Sequence, residues 1–249
     1  MRLQGKSAIV TGGASGFGKG IAERFAAEGA RVALLDINGK GARAVADSLP
    51  GDHLALQCDV TMPNDVSGAI DAAIGQFGRI DIMINNAGWS HRNMPMLDVD
   101  EESFDRVFAI NVKSIYLTSK AVVPHMRENG GGAIVNVSST AGDRPRPGLT
   151  WYNSTKGAVN TMTRSMAVEL APDRIRVNAI APVIGATGLL ETFMGQPDSP
   201  EIRAKFTASI PLGRFSLPSD HAAAALFLAS DEAEFITGVV LNVDGGRCI

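Results

Sequence analysis

Seven strand-length runs of branched and apolar residues are spaced along the chain, at residues 8–10, 32–35, 54–56, 80–84, 133–137, 175–180 and 239–243. Most are apolar on both faces, the pattern of strands in a parallel sheet covered on both sides. Between them lie longer segments of helical period, at 18–28, 66–77, 102–126, 152–170 and 220–229. Parallel strands need crossover connections, so this alternation predicts right-handed βαβ units and one doubly wound α/β sheet. No linker rich in Ser, Gly or Pro divides the sequence and no internal repeat is present, so residues 1–249 are read as a single domain. The 45% hydrophobic content is ample for one large core. Residues 185–211 break the pattern. They carry Gly, Pro, Phe and Met without a clean period and are expected to form a substrate flap.

A net charge of −3 gives no electrostatic reason to expect nucleic acid or an anionic membrane as partner. The first residues lead into a strand without the apolar stretch of a secretory signal, and no run is long enough to span a membrane as a helix. A cytoplasmic protein is expected. Cys58 and Cys248 lie far apart without metal-ligand spacing and read as free thiols. His53, His125 and His221 are scattered, and no metal site is expected. His91 follows the fourth strand closely and reads as a loop histidine rather than a substrate ligand.

The stretch Thr11–Gly18 follows the first strand and opens the first helix. Gly12 permits a tight turn, Gly16 lets the backbone approach a pyrophosphate, and Gly18 allows helix and strand to pack closely. Ser15 and Phe17 sit in the same loop, where a helix N-terminus offers amide donors and a positive dipole end. Asp36 ends the second strand, eighteen residues beyond Gly18. A carboxylate there can accept both ribose hydroxyls of an adenosine and repel a 2′-phosphate. Ser15, Ile37 and Asn38 carry no positive charge, so NAD(H) is favoured over NADP(H). The alternative is that Asp36 simply caps a turn before Gly39. Asp59 and Val60 end the third strand, where Asp59 can accept the adenine amino group or cap the next helix.

Tyr152 and Lys156 are one helical turn apart, with Ser139 thirteen residues upstream at the end of an apolar run. A free phenol has a pKa of about 10. An ammonium on the same helix face is expected to favour the phenolate and make the tyrosine a usable acid/base. The bare spacing is a weak signal, since a surface tyrosine near a solvated lysine produces it too.

Together with Asn85-Asn86-Ala87-Gly88, Asn111-Val112, Ser138-Ser139 and Pro182 with Thr187, these pieces resemble the short-chain dehydrogenase/reductase family over essentially the whole chain. The resemblance implies a Rossmann-type sheet of seven strands and a homotetramer or homodimer, of which the tetramer is expected. It implies that Ser139 and Tyr152 bind the reacting oxygen while Lys156 and Asn111 complete a proton relay, with Lys156 also reaching the nicotinamide ribose. Ser139 rather than Ser138 is chosen because the strand alternates faces and the family places the second serine there. Asn111 lies in a predicted helix, where its carbonyl can hold a relay water only if the helix is kinked; the alternative is a buried amide satisfied by neighbours. Asn86, Ala87 and Gly88 would let the backbone approach the adenosine ribose, and Thr187 would offer a hydroxyl to the carboxamide. Pro182-Val183 departs from the family's usual Pro-Gly, so Val183 is expected to stiffen the backbone beside the nicotinamide. The tail 242–246 reads as a buried last strand near a subunit contact.

Trp151 is expected to wall the pocket or pack at a subunit interface. Arg144 and Arg146 lie near the active-site rim, where they either attract an anionic substrate or, the preferred reading, are solvated loop charges. Leu189, Leu190, Phe193 and Met194 offer the flap an apolar surface that suits a partly hydrophobic substrate. The function expected is NAD(H)-dependent interconversion of a secondary alcohol and a ketone. A 3-oxoacyl-carrier-protein reductase is the enzymatic alternative, disfavoured because such enzymes usually prefer NADPH. A non-catalytic NAD-binding regulator is the other, disfavoured because both Tyr152 and Lys156 are present.

Overall fold

Successive residues of a strand face opposite ways, and the first strands show how the core is built from that rule. The computed structural model describes residues 1–185 and 188–249. Among these, β1 (Ser7–Thr11), β2 (Arg31–Asp36), β3 (Leu54–Gln57), β4 (Ile82–Asn85), β5 (Gly132–Val137), β6 (Ile175–Pro182) and β7 (Val240–Val243) form one parallel sheet in the order β3-β2-β1-β4-β5-β6-β7. Ala8, Val10, Val32 and Leu34 point to one face, where they meet Ile21 and Phe25 of α1 (Gly16–Ala27) and Leu226 of α9 (Pro218–Ala229). Ile9, Ala33 and Leu35 point to the other, against Ile70 of α3 (Pro63–Phe77), Val122 of α5 (Ser114–Glu128) and Ala167 of α6 (Thr150–Leu170). Burying both faces explains why the runs look continuously apolar.

The seven strands lie where the runs predict. Helix α2 (Gly39–Ser48) was not anticipated, although Ala42, Val45 and Ala46 recur at helical spacing and form its buried face; the Asn38 side chain starts it by accepting from Gly41 N. The predicted helix 102–126 is two helices joined by a π-helical turn. Here α4 (Glu101–Phe108) is capped by Asp100, runs into the π turn Ala109–Lys113, and continues as α5. The flap also contains helix, α7 (Leu190–Met194) and α8 (Pro200–Thr207), the latter capped by Ser199. The last strand is not buried as expected. As the sheet edge, β7 is only partly covered.

A buried polar ladder crosses the sheet. Asn85 Nδ2 donates to Asn136 Oδ1 at 2.8 Å, Asn136 Nδ2 to Thr163 Oγ1 at 3.0 Å, and Thr118 Oγ1 to Asn85 Oδ1 at 2.7 Å. It ties β4 and β5 to α5 and α6. The strand order reverses at the β1–β4 pair, so the crevice beyond their carboxyl ends is where ligands of such sheets bind.

Candidate active site

The chain leaving β1 turns sharply at Gly12, whose φ is +66°, and enters α1 through Gly16 at φ +56°. A side chain at Gly12 would come within 2.8 Å of Asn86 Nδ2, and one at Gly18 within 2.1 Å of Gly12 O. Asn86 locks the loop from β4 by donating to Thr11 O at 2.8 Å and Gly12 O at 3.1 Å. Thr11 Oγ1 returns the contact by accepting from Asn86 N and Ala87 N. The turn is therefore held open by glycine and fixed by amide bonds, a cradle for phosphate.

Asp36 Oδ2 accepts from Ala14 N at 3.0 Å and Oδ1 from Asn38 N at 2.9 Å. Both readings of this carboxylate meet here, since it pins the loop and turns the chain toward Gly39 while lining the cavity. Asp59 folds onto Thr61 N and Oγ1. It is not the cap of the next helix, whose N-cap position is Met62.

A cavity of about 470 Å³ runs from these residues to Tyr152. Gly12, Ser15, Gly16, Phe17, Asp36, Ile37, Asp59 and Val60 line one end. Asn86, Ala87 and Gly88 line its middle, and Ser139, Tyr152, Lys156, Pro182 and Val183 the other end. Gly18 does not line it; its smallness serves helix packing. Thr187 lies outside the described residues. These features fit an adenine dinucleotide: a loop that tolerates no side chain, a carboxylate at the far end and an elongated crevice between.

Tyr152 is buried, and Phe193 of α7 stands 5.0 Å from its ring. Burial pushes its phenol up to about 12, opposed by a hydrogen bond with the Ser139 side chain and by the Arg146 charge. Ser139 also approaches Pro182 O, whereas Ser138 turns away to bond Asn160 and the Lys156 carbonyl. The strand thus presents Ser139, as chosen, to the phenol. Lys156 is equally buried, and desolvation brings its ammonium down to about 8. The expectation that Lys156 lowers the phenol pKa is not met. Its Nζ donates to Val137 O at 2.8 Å and sits 5.7 Å from the Tyr152 ring centroid, so desolvation of the phenol prevails.

Asn111 lies in the π turn Ala109–Lys113, a local irregularity of the helix. Its side chain is also a satisfied buried amide: Nδ2 donates to Trp89 O and Thr155 Oγ1, and Oδ1 accepts from Trp89 N. A Cβ at Gly88 would lie 3.6 Å from Asn111 Oδ1 and 3.8 Å from Lys156 Nζ, so both groups approach Gly88, although Asn111 itself does not line the cavity. Val183 is buried with Ile184, Leu190, Met194, Ile210 and Phe215 in a small core under the flap. Where the family's glycine would be flexible, this chain has an anchor.

Arg146 corrects another expectation. Arg144 is exposed, but Arg146 is half-buried and lines the cavity beside Tyr152. Burial and the neighbouring Arg247 lower its pKa, while Tyr152 and Cys248 raise it. Trp89 and Arg106, stacked at 4.5 Å, also line the cavity and carried no sequence signal. Trp151 does not line it; it donates to Met96 O and packs edge-on to Phe104. His91 is a buried loop residue bonded to Arg92 O. Cys58 and Cys248 are free thiols, and no metal-ligand cluster occurs among the described residues.

Residues 12–247 match the family model described as enoyl-(acyl carrier protein) reductase. The chain is 48% identical over 252 residues to 4-formylbenzenesulfonate dehydrogenase of Comamonas testosteroni, covering 100% of both, and 40% identical to 7α-hydroxysteroid dehydrogenase of Escherichia coli, covering 99% and 95%. A crystal structure of 3-ketoacyl-(acyl-carrier-protein) reductase from Brucella melitensis complexed with NADH superposes with a TM-score of 0.94 at 47% identity, covering 99% and 100% of the two chains. The protein belongs to the short-chain dehydrogenase/reductase family. It is an oxidoreductase with that family's seven-stranded Rossmann-type fold.

Proposed function

We propose that the protein interconverts a secondary alcohol and a ketone with NAD(H) as cofactor. The observation that carries this reading is the buried Tyr152 phenol, bonded to Ser139, in one cavity with Lys156 and the Asp36 carboxylate. Gly12, Ser15, Gly16 and Phe17 hold the pyrophosphate, while Asp36, Ile37, Asp59 and Val60 receive the adenosine. Asn86, Ala87, Gly88, Lys156, Pro182 and Val183 border the nicotinamide half. The cofactor supplies or accepts the hydride.

Ser139 donates a hydrogen bond to the substrate oxygen, and Tyr152 moves the proton at the same atom. A phenol near 12 is protonated at neutral pH, so it stands ready as the acid in the reductive direction. Lys156 and Asn111, converging beside Gly88, pass the proton onward. Phe193 and the flap core exclude water from the reacting end. The NADH complexes of the Brucella reductase and of 7α-hydroxysteroid dehydrogenase support the choice of NAD(H).

Replacing Tyr152 by Phe should lower turnover of a generic ketone by about 100-fold or more while NADH still binds. Near-normal turnover, or a hundredfold preference for NADPH over NADH, would sink the proposal. Reduction of 3-oxoacyl thioesters is the second reading, favoured by the likeness to the Brucella enzyme. We also propose a homotetramer, which light scattering would test, and a cytoplasmic location. No described helix is long and apolar enough to cross a membrane.

A further inference from the structure

Beside the reacting end of the cavity lies a second recess of about 340 Å³, and Arg146 and Phe193 line both. Arg146, Lys205 and Arg247 line this recess together with Asn93, Phe193 and Phe206, and no carboxylate does. For a chain of net charge −3 that is a local reversal of sign. Among the described residues the Arg146 guanidinium makes no ion pair and no hydrogen bond. It lies over the Phe206 ring, 5.4 Å away, and feels Arg247, Tyr152 and Cys248 only through their charge.

Arg247 is fixed beside it by the C-terminal turn. Asp244 accepts from Gly246 N and Cys248 N, the Arg247 carbonyl accepts from Arg144, and Arg247 Nε is buried without a partner. Holding two guanidiniums together, half-buried and unpaired, is costly for a fold. It is useful when an anion arrives between them, because arginine binds planar oxyanions in a fork.

We propose that this recess is an anion subsite, and that the substrate is a small aromatic ketone or alcohol bearing a carboxylate or sulfonate remote from the reacting oxygen. The inference rests on the oxidoreductase reading above and names its substrate class. The ring lies along Phe193, which stands 5.0 Å from the Tyr152 ring and bridges the two recesses. The oxygen meets Ser139 and Tyr152, and the anion reaches Arg146 with Arg247 behind it. The anionic aryl group in the name of the Comamonas relative agrees with this chemistry.

Two measurements test the proposal on the wild type and Arg146→Gln. Calorimetry with NADH present compares 4-ethylbenzoate with its neutral isostere 4-ethylbenzamide. The acid should bind roughly 30-fold more tightly to the wild type, the worth of a charge-assisted bond, and that preference should vanish in Arg146→Gln. Turnover of 4-acetylbenzoate against its methyl ester should show the same preference, taken as a ratio within each variant so that any change at Tyr152 cancels.

A wild type indifferent to the charge, or a preference that persists in Arg146→Gln, overturns the subsite. If the acid binds preferentially but neither ketone is reduced, the subsite stands and the reading of the reaction fails. Faster turnover of acetoacetyl-coenzyme A that depends on Arg146, with 4-acetylbenzoate indifferent, would overturn the aromatic substrate in favour of a phosphate-tethered acyl chain.

Discussion

Lys156 is placed where a charge is expensive, and removing it should make the protein more stable at neutral pH. Its ammonium titrates at about 8 in the folded protein against an ordinary 10.5. Each pKa unit corresponds to about 1.4 kcal/mol, so keeping this lysine charged and buried costs roughly 3 kcal/mol below pH 8. Between the two pKa values the unfolded chain binds more protons than the folded one, so stability rises with pH across that window. Lys156→Met removes the penalty but strands the Val137 carbonyl that Nζ now bonds at 2.8 Å. An unpaired buried acceptor costs about 1–2 kcal/mol. The net expectation at pH 7 is a gain of about 1–2 kcal/mol, shrinking as pH rises and changing sign between about pH 9 and 10 by the same arithmetic. Tyr152, held near 12 instead of 10, contributes only above about pH 10 and leaves the window clear. Urea denaturation of both proteins at fixed concentration, from pH 7 to 9.5, measures the difference. Parallel curves, or a variant less stable throughout, would refute the reasoning.

Two further substitutions probe the scaffold of the site. Gly18→Ala would drive a methyl to 2.1 Å from Gly12 O and 2.4 Å from Asn86 Nδ2, displacing the loop. NADH titration by fluorescence should show at least about tenfold weaker binding, the equivalent of one lost hydrogen bond; an unchanged dissociation constant would contradict the cradle. Asn136→Leu breaks the polar ladder at its centre and leaves the Asn85 amide short of a partner. Denaturation should record a loss of about 2–4 kcal/mol, and a loss under about 1 kcal/mol would mean the ladder relaxes freely.

The strands were legible because burial on both faces writes itself into consecutive residues, as in Val32 to Leu35. The loop and the Ser139–Tyr152–Lys156 grouping were legible for a different reason: backbone geometry and hydrogen bonding restrict which residue types serve there. Other features escaped. Helix α2 is only ten residues long, and its mark is three small or branched residues, Ala42, Val45 and Ala46, on one buried face. Val183 became intelligible only through Ile210 and Phe215, which reach it from later in the chain. Arg146 and Arg247 are about a hundred residues apart, and nothing near either one announces the other. The spacing of Tyr152 and Lys156 gives neighbours, not the depth at which they are buried, and burial dominates both groups.

The π turn at Ala109–Lys113 separates two things that usually fail together. Val107 and Ile115, both buried, are eight residues apart; discount the one inserted residue and they are seven apart, two turns along the same helical face. Deleting a residue from 109–113 should therefore let α4 and α5 fuse into a regular helix with its apolar face in register. It would also move Asn111 off Trp89 and Thr155. The shortened protein should melt cooperatively and still bind NADH, with turnover greatly reduced; a chain that does not fold would show the turn to be structural. That result would tie activity to a single residue of surplus length.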